Sequence, residues 1–154
     1  MIYADTNFFT NYLAGLALQA EAAVLAAKLV ASKEPPLPVT WLLRLEVING
    51  LQQCVFMSRN GTLQNRFVPE MAAVVEAQFF DEADAGMTFR HCGLDAARVE
   101  IMFRDLSHRH TAKEGFRTYD ILHVASALVL GCDSFWSFDV KAKKLAKLEG
   151  LKVN

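Results

Sequence analysis

Cysteine is scarce in this sequence and badly spaced. Cys54, Cys92 and Cys132 are an odd set with no C-x-x-C pair. That argues against a disulfide framework or a zinc site and leaves free thiols suited to a reducing cytoplasm. No G-x-x-x-x-G-K-[ST] and no G-x-G-x-x-G occurs, so phosphate-cradling glycine loops are unsupported. An excess of basic charge is also lacking: 16 Lys and Arg face 17 Asp and Glu, for a net charge of −1. This is not an overtly basic nucleic-acid binder. Long uninterrupted apolar runs are missing too. Gln19, Glu21 and Lys28 break the stretch from Tyr12 to Ala31, and Ile121–Gly131 is too short to span a bilayer. The N-terminal residues carry no basic segment of a secretory signal. The expectation is a soluble, cytoplasmic protein with no membrane partner.

What is present is enough for one folded domain. The chain has 154 residues, 53% of them apolar and 21% charged, which argues against disorder. A single domain over 1–154 is expected, with no repeat or linker. Charge is unevenly spread: residues 104–154 are net basic and residues 1–103 net acidic.

Turn and cap residues punctuate the chain into alternating strands and helices. Met1–Ala4 reads as a strand ending at Asp5. Ala20–Ala31 reads as a helix broken at Glu34-Pro35-Pro36. Leu37–Val39 is a second strand, and Thr40 an N-cap for a helix to about Met57. Pro69 suits the first turn of a helix to about Ala83. Met87–His91 is a short strand or extended link, and Leu94 to about Ser107 a helix. A basic loop over 108–117 leads to a helix at Tyr119–Leu130 that Gly131 ends. Ser134–Phe138 is a strand, Val140–Glu149 a helix and Leu151–Val153 a last strand. This order predicts an α/β fold with a short parallel sheet and helices on both faces.

Ligands of such a sheet bind beyond the carboxyl ends of its strands. Four acids fall there. Asp5 follows the first strand and Asp139 the strand 134–138. Asp120 opens the helix 119–130, and Glu46 lies within two turns of the start of the helix after the second strand. Asp5 and Asp139 are equally readable as helix caps, and Asp120 as a first-turn acid favoured by the helix dipole. Glu46 is harder to explain by structure alone. Trp41–Met57 is apolar nearly all round except for Glu46, Asn49, Gly50 and Gln53. Such a helix is expected to be mostly buried, so its acid needs a partner or a cation. Four converging acids repel one another unless basic side chains or a divalent cation intervene. Oxygen-only ligands suit Mg²⁺ or Mn²⁺, the equipment of phosphodiester hydrolysis.

At these residues the chain resembles the PIN domain family, and specifically the VapC-type ribonuclease toxins. Four blocks carry the resemblance, in order. They are Ile2-Tyr3-Ala4-Asp5-Thr6-Asn7, Leu45-Glu46-Val47, Asp120 to Leu128, and Phe135-Trp136-Ser137-Phe138-Asp139 with the segments that follow it. The resemblance implies a three-layer α/β/α sandwich. It implies that Asp5, Glu46, Asp120 and Asp139 form a catalytic Mg²⁺ or Mn²⁺ site. Asn7 and Ser137 match polar positions that orient the acids or the metal water. It further implies an endoribonuclease acting on RNA, a homodimer, and a small antitoxin partner. A housekeeping RNA-processing nuclease and a non-catalytic PIN-like module remain alternatives, although no acid is missing. A haloacid-dehalogenase-like phosphatase is disfavoured: its D-x-D motif would need an Asp where Asn7 stands.

The segment 104–117 carries four Arg or Lys and two His and runs directly into Asp120. It reads either as a solvated loop or as an RNA-backbone contact through Arg109, Lys113 and Arg117. The lysines of 140–149 read as a solvated helix face. His123, three residues after Asp120 in an apolar helix, reads as a core or supporting histidine.

Overall fold

The structure is a computed structural model that describes residues 1–14, 35–63 and 65–154. The helix expected over Ala20–Ala31, and most of the apolar stretch from Tyr12, lie outside the described residues. The described elements are β1 (Ile2–Ala4), α1 (Thr6–Leu13), β2 (Leu37–Val39), α2 (Trp41–Arg59), α3 (Pro69–Ala85) and β3 (Phe89–His91). These are followed by α4 (Ala96–Leu106), α5 (Thr118–Val129), β4 (Ser134–Trp136), α6 (Val140–Leu148) and β5 (Lys152–Val153). They gather into two compact units: residues 1–5 with 93–154, and residues 6–92.

The first unit is built on a parallel three-stranded sheet in the order β1-β4-β5. Ile2 pairs with Ser134 and Ala4 with Trp136. Strands of two or three residues contribute little by themselves, so packing of helices against them must hold the sheet. Tyr3 and Phe135, neighbours in that ladder, are fully buried and stack with ring centroids 5.8 Å apart. Ile121, Val124, Ala125 and Ala127 of α5 join the same core, as do Leu145 and Ala146 of α6 and Val99 and Leu106 of α4. Their spacing of three and four residues is what places them on one helix face. Helix ends are marked by sequence. Asp95 caps α4 by accepting from the Ala97 and Arg98 amides at 3.0 and 3.2 Å. Gly131, after α5, takes a φ of 70°, which L side chains rarely adopt.

The second unit holds the parallel pair β2-β3 and helices α1 to α3. Thr40 caps α2, its hydroxyl accepting from the Leu43 amide at 3.3 Å. Pro69 opens α3 and Gly86 closes it in the left-handed conformation. The core is aromatic: Phe9 meets Phe89 at 5.0 Å and Phe79 at 5.7 Å between ring centroids, both edge-on. Gly50 lets α1 and α2 approach, because a Cβ there would stand 2.7 Å from the Thr10 hydroxyl.

Two expectations are corrected here. α2 is not mostly buried: Leu43, Val47, Leu51 and Cys54 line its inner face, while Trp41, Leu45 and Phe56 stay exposed at 41%, 61% and 63%. An apolar pattern wider than the packed face leaves the surplus outside. The basic loop is also largely helical. Ser107–Thr111 forms a π-helical turn continuing α4, and Ala112–Glu114 a further helical turn ended by Gly115. Its side-chain contacts give the reason. Arg109 grips Asp105 in a two-pronged contact at 2.7 and 3.0 Å and reaches Glu149 at 2.7 and 2.9 Å. These bonds tie the turn to the end of α6.

Among the described residues, no helix is long and apolar enough to cross a membrane.

The Glu149 contact sets a pH prediction. Burial pushes its carboxyl up, but Arg109 and His110 outweigh that and hold it below the usual glutamate range. A depressed carboxylate stabilises the fold fully above its unfolded value of about 4.3 and loses that contribution as pH falls through the folded value. Arg109 is 44% exposed, so solvent screening reduces the gain. Glu149→Gln should cost about 1–2 kcal/mol at neutral pH. Urea unfolding at pH 7 and again near pH 3 should show the difference shrinking in acid.

Candidate active site

Asp5 directly follows β1 and Asp139 lies three residues past the end of β4, so one parallel pair delivers both acids at its carboxyl edge. The Asp5 amide extends the ladder by donating to the Trp136 carbonyl at 3.0 Å. Its side chain is only 4% exposed. A charge that deep requires compensation.

Asp139 is the N-cap of α6. Its Oδ1 accepts from the Lys141 and Ala142 amides at 2.7 and 3.2 Å. The cap uses one oxygen and leaves Oδ2 to the Arg117 guanidinium, which it meets in a short contact. Burial pushes the Asp139 carboxyl up. The Ala142 and Lys141 amides and the Arg117 charge outweigh that and hold it below the usual aspartate range. Ser137, fully buried, fixes the approach: its hydroxyl accepts from the Asp139 amide at 2.8 Å. The Ser137 amide in turn donates to the Asn154 side-chain oxygen at 2.9 Å.

Asp120 stands at the third position of α5, 5% exposed. Its Oδ2 accepts from the Arg117 amide at 3.0 Å, the returning half of a capping box. The Arg117 side chain adds Nε to Oδ2 at 3.2 Å and Nη2 to Oδ1 at 3.1 Å. Arg117 therefore links Asp120 to Asp139, and these bonds, Asp120 first, raise the guanidinium pKa above its ordinary value. One turn along α5, His123 is buried with Nδ1 3.0 Å from the Tyr3 hydroxyl.

Most of the remaining sequence candidates have partners of their own. Glu46 belongs to the second unit, where the Thr6 hydroxyl donates to its Oε2 at 2.8 Å. Asn7 is in the first turn of α1, and its backbone carbonyl accepts from Asn11 Nδ2 at 2.7 Å. Lys113 is exposed on the helical turn after the π segment. Arg109 is committed to Asp105 and Glu149. Arg117, read from the sequence as a solvated or RNA-contacting cation, bonds two of the acids. The signal for this was present in its spacing, three residues before Asp120, which is capping-box spacing.

Sixteen solved chains match this fold. VapC20 of Mycobacterium tuberculosis, a sarcin-ricin loop cleaving toxin, is 19% identical, with a TM-score of 0.59 and 94% of each chain covered. VapBC2 of Rickettsia felis, solved bound to a DNA fragment from their promoter, is 13% identical with a TM-score of 0.65, covering 100% of this chain and 98% of that one. FitAcB of Neisseria gonorrhoeae is 14% identical with a TM-score of 0.63, covering 99% and 96%. The fold is VapC-like. No protein-family model and no curated protein matches the sequence. The VapC-like fold agrees with the α/β architecture and parallel strands expected from the sequence.

The donor set of this VapC-like fold suits a hard cation. Asp5, Asp120 and Asp139 offer only carboxylate oxygens, two of the three acids are nearly fully buried, and a guanidinium already bridges Asp120 and Asp139. Among the described residues no three His, Cys, Asp or Glu side chains are arranged to enclose a metal ion.

Proposed function

We propose that this chain is a metal-dependent endoribonuclease and the toxin of a toxin–antitoxin pair. One observation carries the reading: in a VapC-like fold, Asp5 and Asp139 leave the carboxyl edge of one parallel strand pair, and Arg117 ties Asp120 to Asp139. VapC20, with the same fold, cleaves the sarcin-ricin loop. The VapBC neighbours suggest a small antitoxin partner.

Asp5, Asp120 and Asp139 would hold Mg²⁺ or Mn²⁺, and Glu46 joins them on the sequence pattern. The metal would lower the pKa of a bound water and offset charge on the phosphate. The chain's own groups do the positioning. Ser137 fixes the backbone at Asp139, and the Lys141 and Ala142 amides orient the Asp139 carboxylate. Lys113, exposed after the π-helical turn, would offer a positive charge to the RNA backbone. A homodimer in the cytoplasm is part of the same reading.

The test is cleavage of total RNA by the purified chain. Internal fragments should form with Mn²⁺ or Mg²⁺ and disappear with EDTA. Expression alone should arrest growth. Cleavage that persists in EDTA sinks the metal assignment, and intact RNA under every metal condition sinks the nuclease assignment.

A further inference from the structure

Arg117 presents four contacts to the acids. Its amide and Nε both bond Asp120 Oδ2, and its Nη2 bonds Asp120 Oδ1 and Asp139 Oδ2. The other Asp139 oxygen is taken by the α6 amides. Arg117 thus covers three of the four carboxylate oxygens of Asp120 and Asp139, and hard cations take such oxygens. Solvent also reaches the side chain. It is 64% exposed, while the backbone beside it is anchored by the buried Phe116 and by the left-handed turn at Gly115. A guanidinium stays charged at any working pH, so acid–base chemistry does not remove it.

We propose that Arg117 is a built-in counterion that occupies the place of the divalent cation and must be displaced for the cation to bind. The inference rests on the metal-dependent reading above and adds its control: the chain's own arginine sets the metal affinity. Without metal, Arg117 offsets the repulsion between Asp120 and Asp139. With metal, the two cations compete for the same oxygens, and each bond that Arg117 makes is subtracted from the metal's gain. The amide bond to Asp120 survives either way, so the start of α5 stays in register while the side chain swings out. The released fork then lies beside the acids with its donors unspent, a geometry suited to a phosphate oxygen.

Mn²⁺ binding, read by loss of the free-ion EPR signal and by calorimetry, tests this without reference to RNA. Arg117→Met keeps the aliphatic stem and the backbone amide. It should bind Mn²⁺ roughly two- to fivefold more tightly than the wild type, because removing a partly exposed ion pair shifts an equilibrium by about that factor. Its metal-free melting temperature should fall, and Mn²⁺ should raise it by more than in the wild type. Arg117→Lys keeps the charge but loses the fork, and should fall between the two. Equal or weaker Mn²⁺ binding by a folded Arg117→Met chain overturns the competition and leaves the metal reading standing. Absence of saturable Mn²⁺ binding in wild type and both variants overturns the two together. If Arg117→Met does not fold, the Lys variant decides alone: tighter binding than wild type supports the competition, and unchanged or weaker binding overturns it.

Discussion

Asp5→Asn should lower RNA cleavage by at least about a hundredfold while leaving the fold intact. Losing a group that merely supports a metal ligand typically costs about 10- to 100-fold, so losing a direct ligand should cost no less. Asp5 is the most enclosed of the three acids in the first unit and leaves the sheet edge at the end of β1. Asn keeps its size and the backbone bond to Trp136, so circular dichroism should be unchanged. The loss should appear in turnover and be matched by weaker Mn²⁺ binding. A folded Asp5→Asn chain that cuts RNA at the wild-type rate would remove Asp5 from the site.

The second large effect is on stability. Phe9→Ala should cost about 3–5 kcal/mol, the usual range for emptying a buried phenylalanine site. Phe9 is fully buried and its ring lies edge-on to Phe8, Phe79 and Phe89 at 5.8, 5.7 and 5.0 Å. Those rings come from α1, α3 and β3, so one truncation loosens three elements of the second unit at once. Small domains are stable by only about 5–15 kcal/mol, so much of the margin would go. Phe9→Leu retains most of the volume and should lose less. Urea titration of both variants checks the order. A Phe9→Ala loss below about 1 kcal/mol would mean that the aromatic cluster is not the centre of this core.

Much of this was readable in the residues. Thr40, Pro69 and Gly131 mark helix ends by local chemistry, and each sits where that chemistry places it. The strands were legible as short apolar runs, and their alternation with helices predicted parallel pairing. Three features were not legible. The Ser107–Thr111 turn is polar and charged, so it reads as a loop. Its helical form depends on contacts with Asp105 and Glu149, the second of which is 40 residues away. The exposed Trp41, Leu45 and Phe56 have the composition of a buried face, and periodicity cannot say how wide the packed stripe is. Arg117 was legible as a cation near Asp120. Its second partner, Asp139, is 22 residues away, and only the fold brings it there.

The pairing of β1 with β4 also has a kinetic side. Ile2 must find Ser134, and between them lie all of the second unit and most of the first. Contacts of such long separation are made late and slowly, because the loop they close costs entropy before any packing rewards it. A chain emerging from the ribosome can build the second unit from residues 6–92 while β1 still lacks its partner. Asp5 is made before the second unit and Asp139 after it. The acids therefore cannot meet until nearly all of these residues have been synthesised. In this order of synthesis the two acids stay apart until the whole of the second unit has left the ribosome.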